Sequence, residues 1–185
     1  MRWRHAGTCM VLAGAMGLTV AASATNPDDA FEQRIAGELS AIDPSLVETF
    51  ARANAARDKG DHRTAERLYA EVFEKAPGWY HAERRRCGEL VALERRDEAL
   101  PLCRHAAEKE PSSANLVGLA SAILHTPRGK QLYESEKDEA VELLRRAEAL
   151  DPTDSQIALV QCEAALARAN LGELRDCRSR LERIA

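Results

Sequence analysis

Cysteine and histidine are the side chains of this sequence best suited to nucleophilic or metal chemistry, and the chain has five of each. Beyond the first 24 residues the sequence contains no His-x-x-x-His pair and no Cys-x-x-Cys pair. Cys103 and His105 are two residues apart, so a helix directs them to different faces. Glycine-rich phosphate loops and G-x-S-x-G motifs are also missing. We therefore expect no metal, no cofactor and no catalytic site. The four scattered histidines are His62, His81, His105 and His125.

The first 24 residues have the pattern of a secretory signal peptide. A short basic start, Met1 to His5, precedes an apolar run from Ala6 to Ala22, and Ala22-Ser23-Ala24 has the A-x-A form of a cleavage site. We predict cleavage after Ala24 and a periplasmic or secreted protein. The alternative is an uncleaved membrane anchor, but the apolar run is short for a spanning helix and contains glycine, serine and threonine. No membrane span is expected after cleavage.

The remaining 161 residues suffice for one domain with a real core. Because the leader carries Arg2 and Arg4 and no acid, the net charge of −4 for the whole chain becomes −6 after cleavage. A nucleic-acid-binding protein is expected to have a basic face, so this balance argues against that class. Alanine, leucine, glutamate and arginine dominate while aromatic residues are few, which favours helices.

A 34-residue period separates Pro77 from Pro111. Equal offsets from these prolines pair Ala65 with Ala99, Tyr69 with Cys103 and Val72 with Ala106. Residues at i, i+4 and i+7 form one stripe of a helix, and self-similarity at this period indicates a helical repeat array. A third proline, Pro152, follows 41 residues after the second, so the third unit carries a seven-residue insertion.

Turn and cap residues divide the chain into helix pairs. One amphipathic helix within 25–44, beginning near Pro27, is expected to cover the first apolar face of the array. Ser45 is a candidate cap for the next helix. The predicted units span 46–79, 80–113, 114–154 and a truncated 155–185. Their turns are predicted at Gly60-Asp61, at Glu94 to Arg96, in the inserted loop His125 to Lys137 and at Gly172.

The residues of these units resemble the tetratricopeptide repeat (TPR) family from about Leu46 to Ala185. The early tryptophan, Leu-Gly pair and tyrosine of that family's first helix are mostly missing. The resemblance implies an all-α protein, an α-solenoid of antiparallel helix pairs wound as a right-handed superhelix. The matching positions are Gly60, Asp61, Ala65, Tyr69 and Pro77, then Ala99, Cys103, Ala106 and Pro111, then Ala140, Leu144, Ala147 and Pro152.

Four cysteines remain after the leader, and in an oxidising compartment an even number indicates disulfides, with three possible pairings. Cys87 and Cys103 straddle one predicted turn, and Cys162 and Cys177 straddle another, which puts each pair at a similar height on facing helices. The resemblance further places Cys162 and Cys177 at positions of closest helix approach, whereas the expected neighbour of Cys87 is Ala99. We predict both disulfides, and the alternative is four buried free cysteines.

The resemblance also implies that first helices line a concave face that holds peptides or protein partners. Asparagine and arginine there can bind a peptide backbone or a terminal carboxylate. The run Arg84-Arg85-Arg86 is otherwise interpreted as a solvated face balanced by Glu83 and Glu89, and Trp79 as a packing residue. The predicted partner-binding residues are Phe50, Asn54, Arg57, His81, Arg84 and Asn115.

Three functional hypotheses follow. The first is a non-catalytic exported adaptor that holds a peptide or protein in the concave groove, in envelope or secretion assembly. The second is a structural subunit of an envelope complex that uses its convex face or its inserted loop. The third is a cysteine- or metal-dependent enzyme whose site assembles only in three dimensions. None of the three hypotheses predicts an oligomeric state.

Overall fold

The computed structural model describes residues 27–126 and 131–184. Every regular element within these ranges is an α-helix. The predicted leader and its cleavage site lie outside the described residues, as do Pro127 and Gly129 of the inserted loop. In chain order the helices are α1 (Pro27–Ile42), α2 (Leu46–Asp58), α3 (His62–Lys75), α4 (Tyr80–Ala92), α5 (Arg96–Lys109), α6 (Ser113–Leu124), α7 (Glu134–Leu150), α8 (Ser155–Ala167) and α9 (Leu171–Ile184).

Helices α2 to α9 form four successive pairs joined by short turns. Each helix packs against the next in the chain, and α6 also packs against α4 and against α8, the first helices of the neighbouring pairs. An apolar stripe on each helix therefore has a neighbour on both sides, which is how a repeat array builds a continuous core.

The same turn closes three of the four pairs. Gly60, Glu94 and Ala169 adopt positive φ values of 72°, 59° and 53°. The amide of the following residue donates to a carbonyl five residues back, from Asp61 to Ala56 in the first turn at 2.9 Å. This arrangement is a Schellman motif. The predicted turn at Gly172 is wrong, because Gly172 lies inside α9 and Ala169 supplies the left-handed residue instead.

Polar side chains cap several of the helices. Asp61 accepts a hydrogen bond from the amide of Thr64 at 3.2 Å, as a cap should. Ser45 does not cap α2, because its hydroxyl bonds to Asp43 at 2.7 Å. The inserted loop is shorter than predicted, since α7 begins at Glu134. Its start is fixed by Glu136, which accepts from the amide of Tyr133 at 2.9 Å.

Two apolar clusters meet at α4. In the cluster nearer the N-terminus, Phe50 contacts Trp79 edge to face at 4.9 Å between ring centroids and Tyr69 at 5.7 Å. Such pairs stabilise a core by about 0.5–1.5 kcal/mol beyond their area burial. Trp79 is 5% exposed, in agreement with its predicted packing role. The second cluster extends from α4 to α8 and includes Leu90, Leu116, Ile123, Leu144 and Ile157.

Disulfides join the two helices of the second and fourth pairs. Cys87 bonds to Cys103 with Cα atoms 5.4 Å apart, and Cys162 bonds to Cys177 with Cα atoms 5.5 Å apart. These are the two pairings that the turn positions indicate. Each closes a loop of about 15 residues, for which the chain-entropy treatment gives about 3 kcal/mol.

Among the nine helices that the structure describes, we find none with the length and apolar content needed to cross a lipid bilayer.

Candidate functional site

The first helices α2, α4 and α6 carry all six residues predicted to bind a partner. Three of these side chains are buried, Phe50 at 2%, His81 at 1% and Asn115 at 2% exposure. The prediction that Phe50 and His81 line an open groove is therefore wrong, whereas Asn115, although buried, borders the cleft described below. The other three, Asn54, Arg57 and Arg84, are only partly buried. We call the side of the molecule formed by Asn54, Arg57, Arg84 and Arg85 the first-helix face.

Phe50 and His81 are buried because aromatic neighbours and α1 cover them. Phe50 lies between Tyr69 and Trp79. The ring of His81 lies 5.2 Å from that of Trp79 and 5.8 Å from that of Phe31 in α1. Burial lowers the pKa of His81 below its ordinary value, and the nearby charge of Arg84 adds to this shift.

Asn115 connects α6 to the end of α5. Its Nδ2 atom donates to the carbonyl of Glu110 at 2.7 Å and to that of Ala106 at 3.3 Å. These carbonyls belong to the last turn of α5, where helices leave acceptors unsatisfied. The Oδ1 atom of Asn115 is buried and has no hydrogen-bond partner among the residues that the structure describes.

A cleft of about 200 Å³ opens on the first-helix face beside Asn115. Three guanidinium groups, those of Arg57, Arg84 and Arg85, line it, and we call it the arginine cleft. The Cys87–Cys103 disulfide and Ala106 also line it. Gly88 and Gly118 contribute no side chain, and a Cβ added at either would meet no atom within 4 Å.

The polar groups left unpaired around the arginine cleft are mostly donors. Nη1 of Arg57, Nη2 of Arg84 and Nε of Arg85 are buried without a hydrogen-bond partner within the described part of the chain. The Oδ1 atom of Asn115 is an acceptor that is likewise buried without a partner among the described residues. Buried donors without partners are costly, so this face is short of acceptors.

The charges at the arginine cleft are unequally compensated. Arg57 donates to Asp58 at 2.9 Å, and Glu89 is held by His62 at 2.8 Å. Arg84 has no carboxylate within ion-pair distance among the described residues, and its guanidinium lies 5.5 Å from the ring of Phe31. Burial of the Arg84 guanidinium lowers its pKa.

Asn54 is engaged by a network that reaches α1. The hydroxyl of Tyr69 donates to Oδ1 of Asn54 at 2.6 Å, and Nδ2 of Asn54 donates to Glu32 in α1 at 3.1 Å. Glu32 also accepts from Arg85. Burial raises the pKa of Tyr69 to about 12, so its hydroxyl stays a donor at neutral pH. One carboxylate of α1 thus occupies the polar part of this face.

The interpretation of Arg84-Arg85-Arg86 as a solvated face is wrong. Arg86 pairs with Glu66 at 2.9 Å across the interface between α3 and α4. The two glutamates expected to balance the run are buried instead. Glu83 pairs with His105 at 2.5 Å, and Glu89 pairs with His62. Helix α4 is therefore tied by ion pairs to the helices on both sides of it.

A second cavity, of about 410 Å³, lies near the C-terminal end, between α7, α8 and α9. Arg180 extends into it, donating to Gln161 at 3.0 Å and to the carbonyl of Pro152 at 2.8 Å, and pairing with Glu148. The side chain of Arg180 is only 12% exposed. Arg180 therefore connects the last pair to the one before it.

Within residues 27–126 and 131–184, no group of three or more histidine, cysteine, aspartate or glutamate side chains is arranged to hold a metal ion. His62, His81 and His105 each approach one carboxylate, those of Glu89, Glu38 and Glu83 respectively. His62 and His105 do so from α3 and α5, on opposite sides of α4. The polar groups that converge are those of the arginine cleft.

Solved structures share this architecture. A thermophilic TPR protein of Thermus thermophilus has a TM-score of 0.63 at 15% identity, and the match covers 75% of this chain and 72% of that one. The chain has the fold of a tetratricopeptide repeat protein. MamA of Desulfovibrio magneticus RS-1, residues 41 to the end, has a TM-score of 0.61 at 13% identity, over 87% of this chain and 97% of that one.

A further MamA structure, MSR-1 C2, has a TM-score of 0.59 at 16% identity and covers 85% of this chain and 91% of that one. At these identities the likeness concerns the TPR fold alone. No family model matches the sequence, and comparison with curated proteins gives no match.

Sequence reasoning missed Arg85, Glu32 and Gly118 as members of the site. Arg85 belongs to the run Arg84-Arg85-Arg86, and this run of basic residues is the signal that could have found it. Glu32 could not be found from the repeat period, because it lies in α1, outside the repeats. Its contact with Arg85 of α4 joins residues that are far apart in the sequence.

Proposed function

We propose that this protein is a non-catalytic, exported protein-binding module, and that its arginine cleft holds an acidic segment of a protein partner. The proposal combines the TPR fold with the chemistry of one face. The partner supplies carboxylate or carbonyl oxygens to the guanidinium groups of Arg57, Arg84 and Arg85. Export rests on the leader pattern before Thr25, which the structure does not describe.

The shortage of acceptors at the arginine cleft carries this proposal. Three buried guanidinium nitrogens without partners lie around a cleft that is open to solvent. Charge-assisted hydrogen bonds from arginine to carboxylate are about twice as strong as neutral ones, so an acidic ligand gains most there. Asn115 adds an unpaired acceptor for a backbone N–H group of the same segment.

Titration of the protein with a fluorescent hexaglutamate peptide tests the proposal. We expect saturable binding, with the double variant Arg57→Gln and Arg84→Gln weakening it by at least about tenfold, because it removes two charge-assisted contacts. Arg145→Gln serves as the control, since Arg145 is exposed and pairs only with Glu142 on its own helix.

Hexaglutamate is tested with an amidated and with a free C-terminus. The comparison shows whether binding comes from the side-chain carboxylates or from the terminal carboxylate. A hexaglutamine peptide controls for backbone contacts alone. Binding of hexaglutamate that is indifferent to the double variant would move the interface away from the arginine cleft. Circular dichroism of each variant must show unchanged helical content.

A further inference from the structure

Helix α1 lies on the first-helix face and contacts residues that border the arginine cleft. Glu32 accepts from Asn54 and pairs with Arg85. The ring of Phe31 lies beneath the guanidinium of Arg84 and against the edge of His81. Glu38 approaches Nε2 of His81 at 3.4 Å. Helix α1 therefore reaches beyond α2, its neighbour in sequence, to α4 of the second pair.

The sequence of α1 has the pattern of a helical ligand. Phe31, Ile35 and Leu39 recur every four residues and form one apolar stripe. Ile35 and Leu39 are fully buried in the first apolar cluster. Glu32 and Glu38 accompany this stripe and supply the carboxylates that contact α2 and α4. An acidic amphipathic helix is thus the kind of segment that this face accommodates.

The polar contacts of α1 on this face are incomplete. Helix α1 contacts His81, Arg84 and Arg85. Nη2 of Arg84, Nε of Arg85 and both ring nitrogens of His81 are nonetheless buried without a hydrogen-bond partner in the described residues. Each such group costs free energy relative to a paired one. A helix that offers more acceptors than α1 would satisfy more of these donors, and would gain affinity over α1 in that part of the interface.

The small size of the arginine cleft also indicates that a partner segment extends beyond it. A volume of about 200 Å³ is below the range of about 300–1,000 Å³ usual for small-ligand pockets, so the cleft holds little more than one or two side chains. Arg84 and Arg85 line the cleft and also contact α1. A longer partner segment that runs from the cleft along Arg84 and Arg85 therefore enters the position of α1.

We propose that α1 is a displaceable intramolecular ligand, and that the face beneath it takes an acidic amphipathic helix of the partner in its place. This inference rests on the proposed function of the first-helix face and adds the form of the partner and its competitor. Because α1 is tethered, its effective concentration is in the millimolar range, and a free helix binds only when it outcompetes that tether. Partner affinity then depends on how firmly α1 is held.

A labelled peptide with the sequence of residues 27–42 tests the inference on the full chain. Glu32→Gln in the protein weakens the contact of α1 with Arg85, so we expect the peptide to bind this variant about tenfold more tightly than wild type. Glu48→Gln, an exposed glutamate of α2 without a contact on this face, should leave the affinity at the wild-type level. A peptide with glutamine at the position of Glu32 should lose the gain.

Hydrogen exchange supplies a second readout on the wild-type protein. Saturating peptide should speed amide exchange in α1 and leave α4 and α5 protected, since only α1 leaves its site. Equal peptide affinity for wild type and Glu32→Gln, or unchanged protection of α1, would overturn the inference. Hexaglutamate binding that is lost with Arg57→Gln and Arg84→Gln would leave the proposed function standing in that case. Absence of binding by both peptides would overturn both proposals.

Discussion

Asn115 serves the fold with its amide nitrogen and the arginine cleft with its oxygen. The nitrogen holds the last carbonyls of α5, at Ala106 and Glu110, while Oδ1 remains unpaired at the cleft. Asn54 differs, because both of its amide atoms are bonded within the chain, to Tyr69 and to Glu32. Residue type alone predicts that an asparagine binds something, whereas the structure decides whether its partner belongs to the chain or to another molecule.

His81 makes the stability of the first apolar cluster depend on pH. Burial lowers its pKa in the folded state, while Glu38 at 3.4 Å only partly opposes the shift. The unfolded chain therefore takes up the proton first, so stability is full above about pH 6.5 and falls as the pH drops through the folded pKa.

We expect His81→Gln to flatten the decline in unfolding free energy from about pH 7 to about pH 5, the interval in which histidine titrates. Urea unfolding at several pH values measures this slope. Wild type and variant are compared by slope, because the substitution also changes packing against Trp79 at every pH. Parallel curves for the two proteins would show that His81 contributes no pH dependence.

At the scale of elements, three pairs close through one left-handed residue, and only the first of these is glycine. Glu94 and Ala169 adopt φ values of 59° and 53°, a conformation that is unfavourable for residues with a Cβ atom. The Schellman hydrogen bonds and the packing of the flanking helices hold them there. Glycine as a turn signal therefore locates the first turn correctly at Gly60. It places the turn between α8 and α9 wrongly at Gly172, because Ala169 is the left-handed residue there.

Ala169→Gly should stabilise the protein by about 0.5–1 kcal/mol, since glycine removes the Cβ strain of the left-handed conformation. Ala167→Gly, two residues earlier at the end of α8, should destabilise by a similar amount because glycine is a poor helix former. Thermal unfolding of both variants beside wild type gives the comparison. Destabilisation by both substitutions would contradict the turn geometry.

Gly118 on α6 offers a way to separate stability from binding. Its position lies at the arginine cleft with free space around it, and helix propensity favours almost any other residue there. Gly118→Leu should raise the unfolding free energy by about 0.5–1 kcal/mol and fill the cleft, which weakens hexaglutamate binding. Calorimetric unfolding and peptide titration on one preparation check both effects. Unchanged binding would exclude the cleft as the peptide site.

The period of the sequence predicts the repeat elements well. Leu46, Tyr80 and Ser155 begin helices at the positions expected from the unit boundaries. The landmarks are local, namely prolines, caps and apolar stripes, and local signals suffice for helix bounds. The burial of Phe50 and His81 is not local, because it depends on α1 crossing to α4. For this reason the helices were predictable from the sequence, while the burial of Phe50 and His81 was not.

At the scale of the whole molecule, the chain is acidic, with a net charge of −4, and yet carries one cleft lined by three arginines. Long-range repulsion of an acidic partner is screened beyond about 10 Å at moderate salt, so the contacts within the cleft decide binding. The overall charge argues against broad attraction to polyanions, so the proposed site depends on short-range contacts.

Export concerns the part of the chain that the structure does not describe. We predict that the protein, expressed with its own leader in a bacterium, is recovered from the periplasm with Thr25 at its N-terminus. Both disulfides should be formed there, since that compartment is oxidising. Intact mass spectrometry with and without reduction reports both the cleavage and the bonds. A full-length, reduced chain would contradict export.

The most direct test of the account is capture of a partner by the tagged protein, cross-linked in its native envelope. Wild type is compared with the double variant Arg57→Gln and Arg84→Gln and with the control Arg145→Gln. The account predicts one protein with an acidic amphipathic segment that is enriched by wild type and control and lost with the double variant. A partner enriched equally by all three proteins would contradict it, and would place the interface on the convex face or the inserted loop.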